Sequence, residues 1–110
     1  CAWLNGIGAL ENPEIGYYSI DNKSYYRKHF KGEFELTSLI GNVTVKKGKP
    51  FAHSHITFCD SNYKVFGGHL FDAKITAAGE FIMQLCNDKI NREMNHEIGL
   101  PLWCLEEKFE

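Results

Sequence analysis

Three of the five histidines of this 110-residue sequence, His53, His55 and His69, lie in one short stretch. Residues 51–59 are dominated by aromatic and β-branched residues, which favours a β-strand. Side chains two positions apart on a strand point to the same face, so His53 and His55 would stand side by side with Cα atoms roughly 6.5–7 Å apart. Two imidazoles at this spacing can bind one ion at about 2.0–2.1 Å from each nitrogen.

A third ligand has to come from a neighbouring strand, and His69 is the candidate. Residues 60–62 are typical of a turn, so the chain can return antiparallel and bring His69 close to the His-x-His pair. The two glycines before His69 let the backbone bend and approach without a Cβ clash. Imidazole nitrogens suit zinc, nickel or copper better than calcium or magnesium. Spacing alone leaves a second interpretation open, namely three unrelated histidines, two of them solvated on a strand face.

The composition limits the class of protein. At 110 residues the chain has the size of one domain, and its 44% hydrophobic and 14% aromatic residues exclude a disordered chain. No apolar run approaches the ~20 residues of a membrane span, so we expect no membrane partner. The net charge of −2, with both signs intermixed, argues against strong nonspecific DNA binding. Four cysteines without a C-x-x-C pair fit reduced thiols, which favours a cytoplasmic protein.

The elements that would position these residues are mostly antiparallel strands. Strand-like patterns occupy residues 2–9, 15–20, 25–30, 32–45, 51–59, 75–85 and 100–105. A polar turn over residues 11–14 separates the first two of these segments. Residues 88–97 are polar and fit a short helix or a loop.

One carboxylate, Glu80, stands inside the apolar run of residues 79–83. This position fits a general base, a group that orients a metal ligand, or a residue on the solvated face of a strand. His29 stands alone in the alternating segment 25–30, and we interpret it as a surface or partly buried histidine rather than a ligand.

Several separate blocks of the sequence together resemble the plants-and-prokaryotes-conserved (PPC) domain. These blocks are residues 30–42, the His53-x-His55 strand, residues 65–70, Glu80, and Arg92 ahead of residues 97–100. Their order and spacing agree with the family across nearly the whole chain, so we expect residues 1–110 to form a single PPC domain. Family members usually carry a further strand and helix before the position of Ala2, and the resemblance implies that these are missing here.

The resemblance implies an α+β fold of the PPC-domain and acetolactate-decarboxylase-like type, with about six to seven mostly antiparallel strands and one or two short helices. It also implies a homotrimer that binds a divalent metal, commonly zinc, through His53, His55 and His69. Prokaryotic members are often labelled predicted DNA-binding proteins, so DNA or a DNA-associated protein is an expected partner. The sequence lacks the AT-hook of plant members and has Glu33 where they have arginine, so it resembles the prokaryotic type.

A more distant likeness points to a different function. The His-x-His strand followed by Phe66-Gly67-Gly68-His69 is similar to the zinc site of acetolactate decarboxylases, which use three histidines with catalytic Glu and Arg residues. By this likeness, Glu80 and Arg92 are candidates for acid/base and anion-binding roles. The alternative function is a small zinc-dependent enzyme acting on an oxo- or hydroxy-acid, and the sequence leaves open whether the protein is an enzyme.

Overall fold

A computed structural model describes residues 1–105, which form a single mixed sheet of seven strands. The strands are β1 (Ala2–Ser19), β2 (Ser24–His29), β3 (Glu33–Lys46), β4 (Lys49–Cys59), β5 (Val65–Leu85), β6 (Asn91–Asn95) and β7 (Leu100–Cys104). Their order in the sheet is β2-β1-β5-β4-β3-β6-β7. Neighbouring strands are antiparallel except for β3 and β6, which run parallel.

Four of the strands, β1, β3, β4 and β5, pair with one another in a closed ring. β1 pairs with β3 as well as with β5, and β4 pairs with both β3 and β5. Each of these four strands therefore has a partner on both sides over part of its length, which covers edges that would otherwise be free for pairing with another chain.

The core lies inside this closed set of strands, and β4 shows how the sequence builds it. Ile56 and Phe58 are buried at 2% and 0% exposure, whereas Thr57 between them is exposed. Phe58 packs against the rings of Phe30 and Phe34, at centroid distances of 5.2 and 5.0 Å. Because side chains alternate along a strand, the odd-numbered residues of β4 point away from the core.

The α+β prediction with one or two short helices is wrong, because residues 1–105 contain no helix. The polar segment 88–97, for which a short helix was one interpretation, contains β6 instead. Strand pairing overrides its weak local preference, since Val45 and Lys46 of β3 pair with Asn91 and Arg92, and β7 pairs along the other side of β6. The described part of the chain accordingly has no helix of the length and apolar composition that crossing a membrane requires.

The predicted turn over residues 11–14 is also wrong, because β1 continues through it. The pairing of β1 with β5 shifts register here, and Asn12 takes a positive φ of 52°. The Asn12 N–H donates to the carbonyl of Gly32 at 3.0 Å, and the Phe30 N–H donates to the carbonyl of Pro13 at 2.9 Å. The turn-forming residues therefore make an irregularity within one long strand rather than a reversal of the chain.

Phe58→Ala should destabilise the fold by about 3–5 kcal/mol, because it empties the most buried aromatic position and leaves a cavity. Chemical denaturation at one fixed protein concentration measures the change. Tyr63→Ala is the control, since Tyr63 is 87% exposed and its loss should change the stability by no more than about 0.5 kcal/mol. Equal effects of the two substitutions would contradict this placement of the core.

Candidate metal centre

The structure brings His53, His55 and His69 together. His55 on β4 lies directly opposite His69 on β5, and His53 lies two residues before His55 on the same face. The centroids of the three rings are 5.0, 5.1 and 5.7 Å apart. One nitrogen from each ring lies within 4.8 Å of the other two, so the three imidazoles can hold a single metal ion.

The closest pair of nitrogens already has the spacing of a metal site. Nε2 of His53 and Nε2 of His55 are 3.2 Å apart. Two nitrogens that each lie 2.0–2.1 Å from a tetrahedral zinc are separated by about 3.3 Å.

Close contacts between backbones hold the two histidine strands in place. A Cβ on Gly68 would lie 2.7 Å from the carbonyl oxygen of Gly16, and a Cβ on Gly41 would lie 2.4 Å from the carbonyl oxygen of His53. Only glycine allows β5 and β4 to approach their neighbours this closely. The prediction that a glycine beside His69 serves close approach agrees with this geometry.

The turn between β4 and β5 fixes the register of the histidines. The Asp60 carboxylate accepts hydrogen bonds from the N–H groups of Asn62 and Lys64, at 2.9 and 3.0 Å. This is the turn that residues 60–62 predicted. It aligns Cys59 with Val65, and four residues further the same register places His55 opposite His69.

An aromatic cluster surrounds His69. The ring of Tyr25 lies 4.7 Å from the His69 ring, and its hydroxyl is 3.4 Å from Nδ1. The Phe71 ring lies 4.7 Å from the His69 ring and 4.9 Å from the Tyr25 ring, so the three rings form a triangle. With Nδ1 facing Tyr25, Nε2 of His69 is the nitrogen left for a metal.

Sequence reasoning did not find Tyr25, although one signal for it exists. Gly16 lies opposite both Arg27 and His69 in the sheet, and a Cβ there would lie 2.5 Å from the Phe71 ring and 3.0 Å from the Tyr25 ring. The missing side chain leaves the space through which Tyr25 reaches His69. A glycine inside a strand pattern is the signal for such a close approach.

The surroundings keep two of the imidazoles neutral. Burial lowers the pKa of His69 to about 4, with smaller contributions from His53, His55 and Arg27. Burial also lowers the pKa of His53, helped by the neighbouring His55 and Arg92. Both rings are therefore uncharged at neutral pH, which is the state that binds a metal.

Arg92 is buried and held by three hydrogen bonds. Its Nε–H donates to the Thr44 hydroxyl at 2.7 Å, and its two terminal nitrogens donate to the Pro101 carbonyl and the Asn42 side-chain oxygen, both at 3.0 Å. Asn42 lies opposite His53 in the sheet. The pairing of β3 with β4 and β6 thus places the guanidinium on the same side of the sheet as the histidines.

A cavity of about 260 Å³ joins Arg92 to the metal centre. Its lining combines aromatic and aliphatic side chains with polar and basic ones. The lining residues are Tyr25, Lys46, Phe51, His53, His69, Phe71, Arg92, Leu100, Pro101 and Leu102.

Glu80 and His29 lie away from this centre. Glu80 is eleven residues beyond His69 on β5, opposite Ile7, and lines a separate groove with Ile7. His29 is exposed at the end of β2, with Nε2 3.1 Å from the carbonyl oxygen of Asn12. Within one chain the structure therefore brings Arg92, but not Glu80, to the histidines.

Comparison with known proteins identifies the family. Residues 1–87 match the family model of the Plants and Prokaryotes Conserved (PCC) domain. A plant- and prokaryote-conserved (PPC) protein of Pyrococcus horikoshii is 41% identical, and the match covers 97% of this chain and 74% of that chain with a TM-score of 0.88. No curated protein shows significant similarity to the sequence.

Two further solved structures are similar over most of the chain. A protein of Bacteroides thetaiotaomicron, provisionally designated DNA-binding, is 31% identical over 94% of this chain and 72% of that chain, with a TM-score of 0.90. A metal-containing protein of Archaeoglobus fulgidus is 36% identical over 94% of this chain and 74% of that chain, with a TM-score of 0.85. These matches confirm the resemblance found in the sequence, and the chain belongs to the plants-and-prokaryotes-conserved (PPC) domain family.

Proposed function

We propose that this PPC-domain protein binds a divalent metal, zinc, through His53, His55 and His69, and that it does so as a homotrimer. The observation that carries the metal site is the convergence of three imidazole nitrogens within 4.8 Å. The name of the Archaeoglobus fulgidus relative, a metal-containing protein, supports it. Zinc suits three neutral nitrogens, and three protein ligands leave a fourth position open for water or another small ligand.

An exposed apolar surface supports the homotrimer. The paired ends of β1 and β5 carry large hydrophobic side chains that face solvent in the single chain. They are Trp3, Ile7, Phe81, Ile82, Met83 and Leu85. The pairing register puts Trp3, Ile7 and Ile82 on one face of the two strands and Phe81, Met83 and Leu85 on the other. Exposed apolar surface of this kind usually marks a protein interface. In a ring with threefold symmetry, this surface of each subunit would pack against a different surface of the next subunit.

We expect DNA binding by this protein to be weak. The provisional designation of the Bacteroides thetaiotaomicron relative supports an association with DNA. The net charge of −2 opposes it, because few clustered lysines are available to release counterions from the phosphates. We place the protein in the cytoplasm, where thiols stay reduced, because all four cysteines are free.

A second candidate function, a small zinc-dependent enzyme acting on an oxo- or hydroxy-acid, is favoured by one observation. Arg92 lines the same cavity as His53 and His69. A group that binds the carboxylate of the substrate beside the metal would need this position. The candidate role of Glu80 in such an enzyme stays a prediction, and the proposed metal site does not depend on it.

The metal site predicts the metal content of four variants. His53→Ala, His55→Ala and His69→Ala should each lose most of the bound zinc, because removal of one of three ligands leaves too few for a stable site. His29→Ala, which removes an exposed histidine outside the centre, should keep the wild-type content. Elemental analysis of the purified proteins measures zinc per chain, and equal content in the wild type and all variants would contradict the proposal.

The neutral state of the imidazoles predicts how the metal-free protein responds to acid. Unfolded histidines take up protons below about pH 6.5, whereas folded His69 stays neutral down to about pH 4, so the unfolded state binds more protons between these values. Stability should therefore fall as the pH drops from 6.5 towards 4.

The melting temperature measured in chelator at pH 7.5 and pH 5 tests this expectation. His69→Asn should show a smaller loss on acidification than the wild type, since the variant lacks the group with the lowered pKa. The comparison between the two proteins cancels the contribution of carboxylates that titrate in the same range. An identical loss in both would show that His69 does not resist protonation in the folded state.

The apolar surface predicts which substitution weakens the trimer. Ile82→Glu should shift the sedimentation mass from three chains towards one, because Ile82 is 74% exposed on the face that it shares with Trp3 and Ile7, and a carboxylate there would be desolvated on assembly. Tyr63→Glu, at an exposed position in the β4–β5 turn, should leave the trimer intact. A wild-type mass equal to one chain at micromolar concentration would contradict the homotrimer itself.

A further inference from the structure

Two cysteines that are far apart in the sequence face each other at one end of the sheet. β1 and β5 are antiparallel here, and the pairing at this end is that of Ala2 with Leu85. One residue further the same register puts Cys1 opposite Cys86. The Cys86 N–H donates to the Cys1 carbonyl at 2.9 Å, and the Cys1 nitrogen donates to the Asp88 carbonyl at 2.7 Å.

The backbone geometry of this pair fits a disulfide bond. Residues that face each other across an antiparallel, hydrogen-bonded pair have Cα atoms about 5.5 Å apart and side chains on the same face of the sheet. Disulfides join Cα atoms that are usually about 4.4–6.8 Å apart. The pair also lies just past the ends of both strands, where fewer ladder hydrogen bonds resist a small adjustment of the backbone. The two sulfurs can therefore be joined without a rearrangement of the sheet.

Neither packing nor metal binding accounts for the pair. Cys86 is exposed and Cys1 is half-buried, so the two thiols do not serve as small core residues. Among residues 1–105, the histidine centre is the only group of three or more side chains that could hold a metal ion, so no third ligand joins the two thiols. The reaction of one thiol with the other is the chemistry that their position allows.

The other two cysteines lie opposite residues that are not cysteines. Cys59 pairs with Val65 beside the β4–β5 turn, and Cys104 pairs with Asn91 at the outer edge of the sheet. The fold therefore selects one pair among the four thiols.

We propose that Cys1 and Cys86 form a site of reversible oxidation, at which a small disulfide such as glutathione disulfide converts the two thiols into an intrachain disulfide. The inference goes beyond the proposed metal function and does not rest on it. Exposed disulfides are of the labile, regulatory kind, and a disulfide in the cytoplasm is usually transient. The bond would link the ends of β1 and β5 one residue beyond Leu85, where the apolar surface of the proposed trimer ends.

The exchange takes two steps. The thiolate of Cys86, the more exposed cysteine, attacks one sulfur of glutathione disulfide, whose S–S bond breaks and releases one glutathione. The Cys1 thiolate then attacks the Cys86 sulfur of this mixed disulfide and releases the second glutathione. The two cysteines lose two electrons, which reduce the glutathione disulfide, and their two protons end on the two glutathione thiols.

Peptide mapping after oxidation tests the proposal. The purified, reduced protein is kept in chelator, exposed to glutathione disulfide, alkylated at its remaining thiols and digested without reductant. We expect one linked pair of peptides, which joins Cys1 to Cys86, with Cys59 and Cys104 outside any linked pair. The same treatment in denaturant should give mixed pairings, because only the fold selects the pair. The proposal is overturned by the absence of this link in the native protein, or by an equal yield of it in the denatured protein.

Two variants separate the intrachain disulfide from a mixed one. Cys1→Ser lacks the second thiol, so the mixed disulfide of Cys86 with glutathione should accumulate to at least about ten times its wild-type level. The double variant Cys59→Ser, Cys104→Ser is the matched control and should form the Cys1–Cys86 bond to the wild-type extent. Equal levels of the mixed disulfide in Cys1→Ser and the wild type, or a wild-type product that runs as linked chains on a non-reducing gel, would overturn the proposal.

Discussion

The alternation of side chains along β4 is the constraint on which the site depends. Ile56 and Phe58 fill the core, so His53 and His55 must point to the opposite face. A slip of one residue in the pairing would bury imidazoles and expose the core, and the hydrophobic effect therefore fixes the register of the proposed metal ligands. The same burial that stabilises the fold thus places the two histidines side by side, with their Nε2 atoms 3.2 Å apart.

Local patterns were enough to predict the parts of the centre that lie close in sequence. The strand of His53 and His55, the polar turn after it and the return of His69 all follow from periodicity and turn chemistry within about twenty residues. Local patterns failed where distant pairing decides the structure. Residues 88–97 have no strong preference of their own, and they form β6 only because the end of β3 offers a partner.

Arg92 and Tyr25 could not be placed from the sequence because their positions depend on several strand registers at once. Arg92 reaches the histidines through the pairing of β6 with β3 and of β3 with β4. Tyr25 reaches His69 across β1, where Gly16 provides no side chain to block it. The cavity is therefore lined by residues from strands that share no local motif.

The length of chain between paired residues also implies an order of assembly during folding. His55 and His69 meet across a single short turn, so their contact costs little loop-closure entropy and can form early. Arg92 meets Thr44 across 48 residues of chain, and it needs β3, β6 and β7 to be in place. A folding chain would thus bring His55 and His69 together before it completes the part of the cavity that carries Arg92.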